Sequence, residues 1–128
     1  MSFEVKNAEH YSIIRIKNEK LDSILSPELK SEFTDMHNAN VSNVIVDMND
    51  VKYADSSGLS ALLVGNRLFG SGDNVFVLAG LNDHVMKLIN ISQLDKVLEI
   101  LPTVEEAVDT IFLHVIGKGL IEGEDKEA

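Results

Sequence analysis

Apolar and polar residues recur with two different periods along this chain, and the two periods predict strands and helices. Short runs rich in β-branched residues, bounded by polar or turn residues, are typical of strands. Apolar residues at positions i, i+4 and i+7 are typical of half-buried helices, as at Leu29, Phe33 and Met36. The strands predicted in this way cover residues 3–6, 13–17, 43–48, 75–79 and 97–100.

Cap residues predict where four helices begin. The first helix is expected to start at Ser26, with the Ser26 hydroxyl as N-cap and Pro27 at the first helical position. Thr103 and Glu106 have the spacing of a capping box at the start of the last helix. The other predicted boundaries give helices over residues 59–69, from residue 82 or 83 to 89, and from residue 103 to about 114.

Strands and helices alternate from the first helix onward, which indicates crossover connections between parallel strands. The first two strands are close enough in sequence to form a hairpin. We therefore predict one α/β domain over residues 1–115, with a mixed, mostly parallel sheet, an N-terminal β-hairpin at its edge and helices mainly on one face. Residues 116–128 contain Gly117, Gly119 and an excess of acid, and we expect them to form a flexible tail.

Composition and charge limit the kinds of partner. The chain has 128 residues, 45% of them hydrophobic, no cysteine and a formal net charge of −10. Disulfides and thiolate metal sites are therefore excluded, and the four histidines lack metal-ligand spacing. The negative charge disfavours nucleic acid, and no apolar run reaches the roughly 18 residues of a membrane helix. We expect a cytoplasmic protein without metal or cofactor, which binds another protein and does not insert into a membrane.

The segment Asp55-Ser56-Ser57-Gly58 joins a buried strand to a helix N-terminus. Asp and Ser are preferred N-caps, so the segment is well suited to cap the helix. The free N–H groups there are equally suited to an anion, or to a serine that a kinase phosphorylates. A hydrolase site is not expected, because the Gly-x-Ser-x-Gly pattern is absent.

Two further patterns near this segment leave alternatives open. Asp47, Asp50 and Asp55 suggest a phospho-accepting aspartate, but the acidic pair and the lysine that a receiver domain needs are not evident. The helix over residues 59–69 is apolar on two sides, which indicates either burial of both sides or a docking surface on one of them. Leu59, Leu62, Leu63 and Phe69 form one side, and Ala61, Val64 and Leu68 form the other.

The run from Val44 to Leu59, VIVDMNDVKYADSSGL, resembles the signature of STAS domains, the sulfate transporter and anti-sigma-factor antagonist superfamily. The resemblance covers about residues 3–113. It includes the glycine turn at residues 70–74 and the segment at residues 88–94. The loop NEKLD at residues 18–22 keeps the Leu and Asp of the family pattern Gly-Glu-Leu-Asp, but it has no glycine, and Lys20 takes the Glu position.

The resemblance implies a non-enzymatic anti-sigma factor antagonist. Such a protein binds a serine-kinase anti-sigma factor, which phosphorylates it, and a serine phosphatase removes the phosphate. The family pattern places the phosphoacceptor at Ser56, with Ser57 as the second choice. The residues expected to contact the partner are Asp22, Asp55, Ser56, Ser57, Gly58, Ala61 and Val64. The alternative within the same family is an adaptor subunit of a membrane transporter for lipids or anions.

Gly58 carries one further expectation. A kinase must approach the backbone near its target closely, so a branched side chain at Gly58 is expected to obstruct the partner. Within the helix itself, such a side chain is expected to be tolerated, because the propensity difference is below about 1 kcal/mol.

Overall fold

The computed structural model describes residues 2–127, with side chains as far as Gly119. Its strands are β1 (Phe3–Asn7), β2 (Ser12–Ile16), β3 (Lys20–Leu21), β4 (Val44–Asp47), β5 (Tyr53–Ala54), β6 (Phe76–Ala79) and β7 (Glu99–Leu101). Its helices are α1 (Ser26–Asn38), α2 (Ser56–Phe69), α3 (Asp83–Ile91) and α4 (Val104–Glu127), with a 3₁₀ turn at Leu94–Lys96.

Five of the strands form one sheet in the order β1-β2-β4-β6-β7. The hairpin strand β1 pairs antiparallel with β2, and every other neighbouring pair in this sheet is parallel. The predicted α/β architecture, with a mostly parallel sheet and an N-terminal hairpin at its edge, is confirmed.

The two faces of the sheet carry different helices. Along β4, Val44 and Val46 face the larger core, which contains apolar residues of α1, α2 and α3. Ile45 faces the other side and packs with Ala107 and Ile111 of α4. This alternation follows from the period of two in a strand. Three helices therefore cover one face and one helix covers the other, as the sequence predicts for helices mainly on one side.

The short strands β3 and β5 were not predicted from the sequence. Lys20–Leu21 pairs in parallel with Tyr53–Ala54 and forms a separate two-stranded sheet. Two residues are too few to show an alternating pattern, so this pairing depends on tertiary structure alone. The last strand also differs, because Val97 lies after the 3₁₀ turn and is exposed, and β7 begins at Glu99.

The predicted N-cap role of Ser26 is wrong. Leu25 occupies the cap position of α1 without a side-chain hydrogen bond. Ser26 is only 3% exposed, and its hydroxyl donates to the carbonyl oxygen of Ser57 at 2.8 Å. The N–H groups of Ile24 and Leu25 instead donate to the Asp22 carboxylate at 3.1 and 3.2 Å. Burial against α2 therefore decides the role of Ser26.

The predicted end of the last helix near residue 114 is also wrong, since α4 continues to Glu127. Val115 packs on the smaller core. His114 Nε2 hydrogen-bonds to the carbonyl oxygen of Asp73, and Lys118 Nζ lies 3.3 Å from the Asp73 carboxylate. These contacts with the loop before β6 offset the low helix propensity of Gly117 and Gly119. The start is as predicted, because Thr103 Oγ1 accepts the N–H of Glu106 at 3.1 Å.

Within residues 2–127, none of the helices combines the length and the apolar character that a membrane crossing requires.

Candidate functional site

The aspartate before α2 is its N-cap. Asp55 has extended backbone angles, and its carboxylate accepts the N–H of Gly58 at 3.1 Å. The helix therefore begins at Ser56, three residues earlier than the apolar pattern indicates. Of the candidate caps in this segment, the carboxylate takes the role, and both serine hydroxyls remain outside it.

The two serines that follow differ in accessibility. Ser56 is exposed at the first position of α2, whereas Ser57 is half-buried. The carbonyl oxygen of Ser57 accepts the hydroxyl of Ser26, which ties this turn to α1. An open cleft of about 330 Å³ lies between the two helices, and Lys30 of α1 lines it together with both serines. Of these two serines, Ser56 is therefore the more accessible to a second protein.

The small sheet brings Asp22 and Asp55 to the same end of the molecule. Leu21 is in register with Ala54, and the N–H of Asp55 donates to the carbonyl oxygen of Leu21 at 3.2 Å. Asp22 and Asp55 each follow directly after these paired residues. Both carboxylates are engaged by backbone N–H groups at the start of a helical segment. Two predicted partner-binding residues that are distant in sequence thus lie on neighbouring chain segments.

Exposed apolar side chains lie on the same two segments, and sequence analysis did not single them out. Ile24 is 81% exposed and Tyr53 is 44% exposed. The Tyr53 ring stacks on His84 of α3, with ring centroids 5.8 Å apart. A large apolar residue two positions from each aspartate was the available signal. Asp22, Ile24, Tyr53, Asp55 and Ser56 all lie on the paired strands β3 and β5 or within three residues after them. These five residues, apolar and acidic, are called the acceptor surface below.

Gly58 is buried under β3, and the expectation that the helix tolerates a side chain there is wrong. A Cβ atom at this position would lie 2.2 Å from the carbonyl oxygen of Leu21 and 2.8 Å from its Cγ. The need for glycine therefore has an internal cause. A partner contact at Gly58 stays a prediction.

The two apolar sides of α2 are both largely covered. Ala61 is fully buried in the larger core, so the prediction that its side chain contacts a partner needs correction. Val64 is half-buried and keeps some accessible surface. Ser56, Ser60 and Arg67 lie on the outward side, at helical spacing from one another. A partner that approaches α2 from outside meets this stripe and Val64.

The three aspartates that suggested a receiver domain do not share one site. Asp50 forms an ion pair with Arg15 at 2.9 Å. The Asp47 carboxylate accepts the backbone and side-chain N–H groups of Asn49. Asp55 caps α2. Each carboxylate is therefore occupied by a different neighbour, and the arrangement does not favour phosphate transfer to aspartate.

Comparison with solved structures gives the same fold at low sequence identity. An anti-sigma factor antagonist from Mycobacterium paratuberculosis has 17% identity and a TM-score of 0.77, with 85% of this chain and 92% of that chain covered. The Bacillus cell fate determinant SpoIIAA in its phosphorylated form has 20% identity and a TM-score of 0.65, with coverage of 85% and 98%. A sulfate transporter family protein from Wolinella succinogenes has 20% identity and a TM-score of 0.69, with coverage of 80% and 85%.

A protein-family model for the STAS domain matches residues 2–107. This match spans the five-stranded sheet, the small β3–β5 sheet, the first three helices and the beginning of α4. It also contains the whole acceptor surface. The chain belongs to the STAS domain family.

Proposed function

We propose that this protein is an anti-sigma factor antagonist that is switched off by phosphorylation of Ser56. Its partner is a serine-kinase anti-sigma factor, and a serine phosphatase restores the free hydroxyl. The protein itself has no catalytic role. The observation that carries the proposal is the exposed position of Ser56 at the first residue of α2, beside the capping carboxylate of Asp55. The STAS domain, over residues 1–115, is the part that acts.

The electrostatics of the acceptor surface support a switch in binding that leaves the fold intact. A phosphate on Ser56 adds about −1.5 to −2 charge. At a helix N-terminus the unpaired N–H groups and the helix dipole favour that charge, and Lys30 lines the same cleft. The fold should therefore accept the modification. A partner docked on Asp22, Asp55 and Ser56 instead meets a much more negative surface, because the phosphate adds to two carboxylates already there.

The apolar part of the acceptor surface supplies the attractive side of the contact. Ile24 and Tyr53 are exposed, and the centre of a protein interface is typically apolar and rich in aromatic side chains, with polar residues at its rim. A partner that buries both side chains gains hydrophobic free energy as long as Ser56 is unmodified. Asp22, Ser57 and the accessible part of Val64 border this contact.

The test is phosphorylation by the cognate kinase with ATP, followed by mapping of the phosphate. Ser56→Ala should abolish incorporation, and Ser57→Ala, its matched control, should leave the site available. Since Asp55 and not Ser56 caps α2, loss of the Ser56 hydroxyl should change the free energy of unfolding by less than about 0.5 kcal/mol. Undiminished labelling of a folded Ser56→Ala protein at residues other than Ser56 and Ser57 would contradict the proposal.

A second candidate function is an adaptor subunit of a transporter, which the similarity to the Wolinella sulfate transporter family protein favours. Its acceptor surface would then contact a permease or its ATPase subunit, and Ser56 would not need modification. Purified kinase and purified transporter subunits, each titrated against Ser56→Asp, distinguish the two functions. Loss of affinity for the kinase alone supports the antagonist. Binding to transporter subunits that is insensitive to Ser56→Asp supports the adaptor.

A further inference from the structure

The outer edge of the main sheet presents free backbone groups. The N–H of Ser12 donates to the carbonyl oxygen of Asn43, just before β4, on one side of β2. The N–H of Lys17 donates to the carbonyl oxygen of Ser2, on the β1 side. Because these directions alternate along β2, residues 13, 15 and 17 bond to β1, in register with residues 6, 4 and 2. Phe3, Val5 and Asn7 of β1 therefore direct their N–H and C=O groups outward, where the described part of the chain offers no further strand.

The sequence of this edge is complementary to itself. When two copies of β1 run antiparallel with Val5 opposite Val5, Glu4 of each copy lies opposite Lys6 of the other. Phe3 then lies opposite Asn7. Val5 and the Phe3–Asn7 pairs fall at hydrogen-bonded positions, because their backbone groups point outward. Glu4 and Lys6 fall at non-hydrogen-bonded positions, where opposite side chains approach most closely.

The signs of the two charges decide how this edge behaves. Edge strands are commonly protected by charged residues, and two lysines at these positions would repel a second copy. Glu4 and Lys6 have opposite signs and are symmetric about Val5. They disfavour pairing with strands that carry other charge patterns, but in a second copy of β1 each finds a residue of opposite charge facing it. Both side chains are exposed. Among the described side chains, Glu4 makes a long contact of 3.8 Å with Lys17.

An open groove beside the edge gives the pairing an apolar part and sets a limit on its strength. Phe3 and Val5 are half-buried and line a groove of about 830 Å³ between β1 and α1. Joining two edges would bring two such grooves together and cover these side chains. Glu28 and Glu32 also line the groove, so the acidic walls of the two copies oppose association. The dimer should therefore tighten when these two glutamates are neutralised.

We propose that β1 is a homodimerisation edge, through which two copies form a continuous ten-stranded sheet about a two-fold axis at Val5. The contact is isologous, since the same five residues serve both subunits. It is independent of the acceptor surface, and it would operate in either candidate function.

Charge reversal tests the proposed register by sedimentation equilibrium and native mass spectrometry. Glu4→Lys and Lys6→Glu should each weaken the dimer by about 10-fold to 100-fold, because each places like charges opposite each other twice. A mixture of the two single variants should form a heterodimer, since every facing pair is then of opposite sign. Both variants keep a negative net charge, so general attraction cannot produce this result. The double variant should also dimerise.

Val5→Pro provides an independent test of the backbone contact. Proline removes the outward N–H of Val5 and leaves the bonds between β1 and β2 in place, and edge strands tolerate proline at such positions. Val5→Thr is the matched control that keeps the N–H. Dimer loss in Val5→Pro but not in Val5→Thr, with both variants folded, supports the proposal. A wild-type protein that stays monomeric up to about 1 mM, or a dimer insensitive to both charge reversal and Val5→Pro, would overturn it.

Discussion

Gly58→Ala is the substitution whose effect follows most directly from the geometry. The new Cβ would lie 2.2 Å from the backbone oxygen of Leu21 and 2.8 Å from the Leu21 Cγ. Non-bonded atoms prefer a separation of about 3.5 Å, so β3 or the start of α2 must move by about 1 Å. Leu21 is fully buried, and its carbonyl oxygen accepts the N–H of Asp55. The movement therefore disturbs both the core and the small sheet.

The magnitude results from two opposing effects. Inserting a methyl group into a closely packed site costs about 1–3 kcal/mol. Replacing glycine by alanine inside a helix contributes up to about 1 kcal/mol of stability. The cost is larger, because the obstructing atom belongs to the backbone and cannot rotate away. We expect Gly58→Ala to lower the free energy of unfolding by about 1–2 kcal/mol, and Gly58→Val to lower it further.

Urea unfolding of Gly58→Ala beside Gly117→Ala measures this effect. Gly117 also lies within a helix, but a Cβ there meets nothing within 4 Å. The control should therefore gain up to about 1 kcal/mol from helix propensity, while Gly58→Ala loses stability. Because β3 leads into Asp22, Gly58→Ala should also slow phosphorylation of Ser56. Equal stabilisation of both variants would show that the contact with Leu21 does not constrain residue 58.

Two other predictions concern the same end of α2. Ser56→Asp should raise the free energy of unfolding by roughly 0.3–1 kcal/mol, since the helix dipole favours a carboxylate in the first turn. The same variant should bind the kinase more weakly in a titration. Equal affinity of wild type and variant, with equal melting temperatures, would show that the partner does not recognise the charge at residue 56. Ser26→Ala should destabilise the protein by about 1 kcal/mol in urea unfolding, because the buried hydroxyl no longer donates to Ser57. Ser31, which is exposed on the same helix, supplies the control Ser31→Ala. Its free energy of unfolding should lie within about 0.5 kcal/mol of the wild-type value. Equal effects of the two substitutions would contradict the role of the Ser26 hydrogen bond.

The main elements of the fold could be predicted because burial leaves a periodic trace in the sequence. The strands β4 and β6 are buried on both faces and appear as continuous apolar runs. Leu29, Phe33 and Met36 are all buried along one side of α1, as their spacing indicates. The length of α4 could not be predicted, because Asp73, which contacts His114 and Lys118, lies 41 residues before His114.

The candidate site was predictable in its position and less so in its details. The Asp-Ser-Ser-Gly segment marks the start of α2, as expected for a strand that leads into a helix N-terminus. Its pattern does not tell which side of α2 faces the core, because Ala61 and Leu62 are both fully buried between the sheet and neighbouring helices. The role of Gly58 depends on the approach of Leu21, which is 37 residues away in sequence. Such long-range contacts leave no local pattern.

The small β3–β5 sheet separates the acceptor surface from the architecture that supports it. The β3–β5 pair contributes Leu21 and Ala54 to the core, while Ile24 and Tyr53, borne by the same two segments, stay exposed. Evolution can therefore alter the exposed residues of these segments and retain the two inward anchors. In related proteins that share this small sheet, the exposed residues can differ from one protein to the next. Each protein can then present a different surface at little cost in folding stability. Exchange of the exposed residues Ser23, Ile24 and Tyr53 therefore changes the chemistry of this surface, while Leu21 and Ala54 keep the small sheet anchored in the core.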